Sequence, residues 1–416
     1  MNIRLISLLC VLYSFVLPVN ALELPLGSEI HGFFSQSYLV SPDNPYAGTD
    51  SEDGSFKFRE VGINGFTEFS PEFRIAGQAL SRYRDKSDDG EVRIDFLLAD
   101  YLFFSDQYSS VGVRVGRVKN KIGLYNDTRD IPSARPGFNV PESVYFEAFR
   151  DALLSTDGMN LYGTSLVNNN LIQWELTVGR KDVDSEDFEY YTFARPVPSA
   201  DSAEVPLKLF SVSVIPAFDR DLKLGLSVAD VRVDLEGTLS VAEAQQALVT
   251  APPNDFFVNP QNYVTAAGID GLLTIISAQY NYRDFVLAAE YLNLESDFDA
   301  ELVGNRFSES SSTEAYYLQA EWFTTAQTSV FTRYEELYLK RSDRSGADSA
   351  TDYNPYRGFG RGWTLGGKWS IGKGWSISGQ ASFNEGTAWL PNFEGIENHN
   401  IKKHWNYYVF SVNYQF

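Results

Sequence analysis

The chain of 416 residues carries 55 acidic and 34 basic side chains, a formal charge of -21, with 44% hydrophobic and 15% aromatic residues. So large an acidic excess argues against nucleic acid as a partner, because phosphates need a basic face. Beyond the first two dozen residues no stretch approaches the roughly 18 consecutive apolar residues of a spanning helix, and one cysteine excludes a disulfide framework.

The chain begins with Arg4, an apolar run from Leu5 to Leu17 and then Val19-Asn20-Ala21, the pattern of an export signal with its cleavage site. The expectation is a signal peptide over 1–21 and one mature domain over 22–416; the run is short for a membrane anchor. Cys10 lies inside the run after Leu9, where a lipid-attachment signal needs a small residue. The mature chain, with a charge of -22, then has no cysteine at all.

Period-two alternation predicts strands in chain order near 29–39, 55–69, 72–84, 91–104 and 108–118, then 157–167 and 171–180. Two more follow near 207–217 and 221–231, the latter alternating Leu222, Leu224, Leu226 and Val228 with Lys223, Gly225 and Ser227. Further strands fall near 270–281, 284–294, 313–323 and 328–340; in the third, Tyr316, Leu318, Ala320 and Trp322 oppose Tyr317, Gln319 and Glu321. Trp363 to Ile371 and Trp375 to Phe383 alternate likewise about Gly372-Lys373-Gly374. The last strand, from His404, puts Tyr408, Phe410, Val412, Tyr414 and Phe416 on one face and Tyr407, Ser411, Asn413 and Gln415 on the other. Apolar outside and polar inside is the pattern of a transmembrane antiparallel β-barrel, here of about sixteen strands. A terminal Phe preceded by aromatic or apolar residues at alternate positions resembles the signal read by outer-membrane barrel-assembly machinery.

Connections test this independently. Short ones, at Ser70-Pro71, 105–107, 168–170, 218–220, 283–284, 324–327 and 372–374, alternate with long ones near 40–54, 84–90, 119–156, 181–206, 232–269, 295–312, 341–358 and 386–402. Barrels of the outer membrane pair short periplasmic turns with long external loops, and both termini then lie on the periplasmic side.

Many outer loops are acidic: Asp43, Asp50, Glu52 and Asp53; Asp85, Asp88 and Asp89; Asp182, Asp184, Glu186, Asp187 and Glu189. They could hold divalent cations that bridge lipopolysaccharide, although 182–189 lacks the glycine and spacing of a calcium loop, which leaves solvated acid as the plainer reading. Ser240-Val241-Ala242-Glu243 fits a capping box ahead of a short helix, Ala242 to Val249, closed by Pro252-Pro253. His31, His399 and His404 are the only imidazoles, and no serine or cysteine motif accompanies them, so no catalytic group, cofactor or metal site is expected.

The third outer loop is the most informative. It runs through Lys119, Lys121, Asp127, Arg129, Asp130 and Arg135 into an expected helix from Pro141, past Glu142, with Val144, Tyr145, Phe146, Phe149 and Leu153 on its packing face. Nearly forty residues, partly apolar, are too many to stand free in water, so the loop is expected to fold into the barrel. Sixteen strands, short inner turns and a helix-bearing third loop resemble the general porins of Gram-negative outer membranes, and the run Gly116 to Tyr125 is similar to the entry to a porin constriction loop. The Pro-Glu-Phe-Gly-Gly-type run of enterobacterial general porins is not present.

The resemblance implies a water-filled channel for small hydrophilic solutes and ions, a homotrimer in the outer membrane, and contact with its lipid and lipopolysaccharide. Arg74, Arg93 and Arg114, inward on neighbouring strands, are a candidate basic ladder, faced by Asp95 and by the loop acids Asp127, Asp130 and Glu142; the alternative is that the arginines simply pair with acids on the folded loop. Competing functions are a substrate-selective channel for an anion, sugar or other nutrient, and an outer-membrane barrel hydrolase or adhesin.

Overall fold

The computed structural model describes residues 27–416 apart from 47–50, 86–87, 185–188, 190–196, 201, 351–353 and 391–400. The signal peptide expected over 1–21 lies outside the described residues, as do Asp50, Glu186, Asp187 and His399.

Sixteen strands close into a single antiparallel barrel in which each strand pairs with its sequence neighbours. They are β1 (Ser28–Val40), β2 (Ser55–Ser70), β3 (Phe73–Arg84), β4 (Asp89–Ser105), β5 (Ser109–Lys119), β6 (Ser155–Val167), β7 (Asn170–Val183) and β8 (Ser202–Ile215). The circuit continues with β9 (Leu222–Glu236), β10 (Val264–Tyr282), β11 (Phe285–Leu302), β12 (Asn305–Thr325), β13 (Thr328–Tyr338), β14 (Phe359–Gly372), β15 (Trp375–Gly386) and β16 (His404–Gln415). Closure is made by β16 on β1, from Phe33 opposite Gln415 to Val40 opposite Tyr408. At the seam Gly32 and Phe416 exchange both backbone hydrogen bonds, at 3.2 and 3.0 Å, leaving no free sheet edge there.

Toward the short turns the apolar face of the strands points outward. Tyr408, Phe410 and Phe416 of β16, Trp363, Leu365, Trp369 and Ile371 of β14, and Leu318 and Trp322 of β12 are exposed on the wall that lipid would cover, while Tyr317, Ser411 and Asn413 are buried inside. Among the described residues no helix is long and apolar enough to cross a membrane. The helices α1 (Arg150–Leu154), α2 (Val241–Thr250) and α3 (Asp255–Val258) all lie in loops. The Ser240 capping box forms as expected, Ser240 Oγ accepting from the Glu243 amide at 3.3 Å and Glu243 Oε2 from the Ser240 amide at 2.9 Å.

The strands of one side outrun the expectation. The stretch 295–312, expected as a loop, is instead the top of a β11–β12 hairpin that turns at Val303 and Gly304, both with positive φ (52° and 82°), as a two-residue hairpin turn requires. The loops expected near 181–206 and 232–269 likewise shrink to 184–201 and 237–263. The reason is a switch of polarity along one unbroken pleat. In β9, Leu222 to Val228 are apolar outside; from Ala229 onward the apolar residues Ala229, Val231, Val233 and Leu235 face inward and Asp230, Arg232 and Asp234 face out. A reading that requires apolar-outside ends the strand at the switch. Beyond the span that a bilayer would cover, the outside would meet water, where the same alternation is stable only inverted. With 18 and 21 residues, β11 and β12 are about twice the length a bilayer needs.

Candidate functional site

Loop 3, residues 120–154, crosses the lumen and is pinned to walls on every side. Near its start the Lys121 carbonyl accepts from Ser211 of β8, and the Gly123 amide donates to Ser227 of β9 at 3.0 Å. The Leu124 amide and the Tyr145 hydroxyl then donate to Glu290 of β11 at 2.8 and 2.5 Å. Further along, the Phe138 amide donates to Gln380 of β15 at 2.8 Å and the Ser143 amide to Glu335 of β13 at 3.0 Å. The helix expected from Pro141 is broken: one turn closes from the Tyr145 amide to the Pro141 carbonyl at 2.9 Å, Phe146 is extended (ψ 128°), and α1 begins only at Arg150. The packing face holds nonetheless, with Val144 and Tyr145 buried. Tertiary anchors, rather than helix propensity, decide the path.

The candidate ladder separates. Arg74 and Arg114 meet on one carboxylate, Asp100 of β4, at 2.8 and 3.5 Å, and Tyr162 donates to its other oxygen at 2.6 Å. Arg114 also lies 3.5 Å from Glu175 and over the Tyr162 ring. Arg93 sits apart, on Asp88 at 2.7 Å and within 3.6 Å of the loop-3 acid Asp151. The register explains this: Arg74 and Arg114 both flank Asp100, whereas Arg93 stands opposite Leu80, six residues further along β3. Arg93 thus faces an acid of the second loop and one of loop 3, while Arg74 and Arg114 take strand acids. Asp95 and Asp130 grip Lys119 at 2.6 Å each, Asp127 holds Lys121 at 2.7 Å, and Arg135 bonds Glu60. Glu142 faces none of the ladder; it accepts from Tyr46 of loop 1 and, at 3.2 Å, from Tyr407 of β16.

A second ionic cluster lies outward of these. Glu147 of loop 3 takes Arg82, Arg84 at 3.3 Å and Arg129 at 2.9 Å, and Arg150 bonds Asp130. All five arginines around it, Arg82, Arg84, Arg129, Arg135 and Arg150, are less than a tenth exposed. These arginines hold Glu147 and Asp130 well below the usual carboxylate range despite burial, while Glu142, buried with only the charge of Glu335 and distant cations near it, is pushed up to about 7. Arg82, Arg84, Glu147 and Arg150 were not among the expected lumen residues. The signal existed for two of them: Arg82 and Arg84 share the even-numbered face of β3 with Arg74.

The two described imidazoles do not assemble. His31 lies at the short-turn end of β1, 3.3 Å from Glu29, while His404 opens β16 at the far end of the barrel. Several loop acids are already engaged: Asp85 with Lys57 at 3.1 Å, Asp43 with Lys402 at 3.0 Å, and Glu189 with the Val197 amide at 2.6 Å.

On the short-turn side of loop 3 a recess of about 240 Å³ is bordered by Arg74, Arg114 and Lys119 and by Phe66, Phe96 and Leu98. Three solved outer-membrane proteins share this fold over nearly the whole of their length. OmpT of Vibrio cholerae is 10% identical, over 95% of this chain and 100% of that one, with a TM-score of 0.56. The outer-membrane channel DcaP of Acinetobacter baumannii is 8% identical over 96% and 100%, with a TM-score of 0.54, and an anion-selective porin from Comamonas acidovorans is 12% identical over 94% and 99%, at 0.53. The fold is that of a porin-like β-barrel. At these identities the likeness is one of architecture. One solved form of the Vibrio cholerae protein is described as a trimer. No protein-family model and no curated protein matches the sequence.

Proposed function

We propose that this porin-like barrel is an outer-membrane channel for passive diffusion of small hydrophilic solutes and ions, narrowed by loop 3. The observation that carries the reading is the loop itself, fastened across the lumen of a barrel wide enough for an aqueous channel. An eight-strand barrel would be filled by its own side chains and need no such device. The residues expected at the constriction border the lumen as ion pairs, Arg74 and Arg114 on Asp100 and Lys119 on Asp95 and Asp130, and such fixed charges orient water and favour polar solutes. The proposal includes a cleaved signal peptide over 1–21, the terminal face from Tyr408 to Phe416 as the signal for barrel-assembly machinery, and a homotrimer set among outer-membrane lipid and lipopolysaccharide.

Deleting residues 126–150 should raise single-channel conductance in a planar bilayer by about twofold or more, because the arm that fills the lumen is gone. Equal conductance for the full and deleted chains would refute the narrowing role. A substrate-selective channel is the second reading, favoured by the mixture of arginine and aromatic side chains around the recess.

A further inference from the structure

The lumen has two unlike halves. Toward β2, β3 and β4, loop 3 turns Arg135 onto Glu60, Glu147 onto Arg82 and Asp151 toward Arg93, with Arg129 held on Glu147 within the loop. Toward β9 to β13 it turns Val144, Tyr145, Phe146 and Phe149 onto an aliphatic wall. Inward positions of a passage for polar solutes need not be aliphatic, and on the first half buried ions such as Glu60, Arg82 and Arg84 stand among them.

Loop and wall do not close on one another. Between them remains a cavity of about 100 Å³, with Val231, Leu273, Leu292 and Leu294 on the wall side and Phe146 and Phe149 on the loop side. Its floor is opened by Gly271 of β10: a Cβ there would lie 3.1 Å from Leu294 and 3.5 Å from Val231. The polar side chains at its lining are Asn126, Arg129, Ser143, Ser296 and Thr313; the Asn126 amide is already bonded to the Asn120 and Leu153 carbonyls at 3.0 and 2.9 Å, and the Arg129 guanidinium to Glu147 at 2.9 Å and to the Tyr145 carbonyl at 3.2 Å. A cavity so lined stays dry, and its size suits a branched group of about four carbons or a small ring. An apolar group entering it loses water contact without stripping water from any polar partner.

We propose that this cavity is a binding site for the branched aliphatic or small aromatic group of an otherwise water-soluble solute that enters the barrel. The inference deepens the channel reading and rests on it for access. It makes the lumen a selective surface on one side and an electrostatic one on the other.

The test uses two neutral probes that differ by one isobutyl group, N-acetyl-leucinamide and N-acetyl-glycinamide, added to the full chain in a planar bilayer. The leucinamide should interrupt the current at a concentration about tenfold or more below that of the glycinamide, the ratio expected when most of a leucine side chain is buried. Two variants fill the cavity from different sides, Gly271→Val from the floor and Ser296→Phe from the margin, and each should bring the two probes to within about twofold of each other. Equal interruption by both probes in the natural sequence overturns the site and leaves the channel standing. A preference that survives in both correctly folded variants overturns it too. If the protein gives no conductance steps, the channel reading fails, and saturation-transfer NMR of the purified barrel then decides the cavity alone: signal transfer to the isobutyl group, lost in both variants, supports it, and no transfer sinks it.

Discussion

Glu142 is 5% exposed against Tyr46 and Tyr407, and burial first, then the charge of Glu335, raise its pKa to about 7. A carboxyl raised in the folded state binds its proton there more tightly than in the undocked chain. Docking of loop 3 is therefore strongest below the ordinary carboxylate range near pH 4.5, weakens as pH rises toward 7, and is flat above; the full span is on the order of 3 kcal/mol. Open-channel current noise should accordingly grow between about pH 5 and 7, and Glu142→Gln, which still accepts from Tyr46, should flatten the profile at its quiet level. A variant with unchanged pH dependence would show that Glu142 does not govern docking. Phe416 is the second instructive residue. Its ring covers Gly32, where a Cβ would fall 2.5 Å from the ring, and its backbone supplies both seam bonds. Deleting Phe416 should lower the barrel's unfolding free energy in urea by about 2 kcal/mol, the sum of two net hydrogen bonds and some lost apolar cover, in addition to impairing assembly.

At the scale of elements, loop 3 acts as a tether made of buried ions. Glu147 is the hub: Arg82, Arg84 and Arg129 converge on it, and among the described residues Arg129 has no other carboxylate within 4.0 Å. Glu147→Ala should therefore cost about 3–5 kcal/mol of docking, since removing one partner of a buried pair leaves cations uncompensated. Limited proteolysis would report it as new cleavage inside 120–154, absent from the natural chain. The lumen face of β3 to β5 makes a different prediction. Arg74→Ala with Arg114→Ala leaves Asp100 and Glu175 without their cations, so the reversal potential under a salt gradient should move toward cation preference. A shift the other way, or none, would place the ion path elsewhere in the barrel. The long β11–β12 hairpin needs a different account from its neighbours in the bilayer: its outer part is an ordinary water-facing sheet, acidic outside with Asp297 and Glu301, apolar inside with Phe298 and Ala300.

For the whole molecule, strand number, antiparallel order and inside-outside facing were all legible in the chain, because each depends on alternation within a dozen residues and on the turn chemistry between them. Asn168-Asn169 and Gly372-Lys373-Gly374 show positive φ where the sequence placed its tight turns. Parity alone did not place the expected constriction groups, since Asp95 is the extra residue of a bulge in β4 and Asp127 and Asp130 belong to loop 3. What alternation could not say was which ion meets which. Arg93 parts from Arg74 and Arg114 because of register across β3 and β4, where Asp95 adds an extra residue between Phe96 and Ile94. Glu142 leaves the arginines for two tyrosines because loop 1 and β16 arrive beside it, 96 and 265 residues away in the chain. The inverted polarity of β9 is written in consecutive residues, yet its meaning waits on where the bilayer stops. The sequence alone determined a closed wall with an apolar outside and a third loop folded inward. Only the tertiary structure decided that loop 3 meets ions on one side of the lumen and aliphatic side chains on the other, because those contacts join the loop to strands far from it in the chain, and no local pattern carries the distance between them.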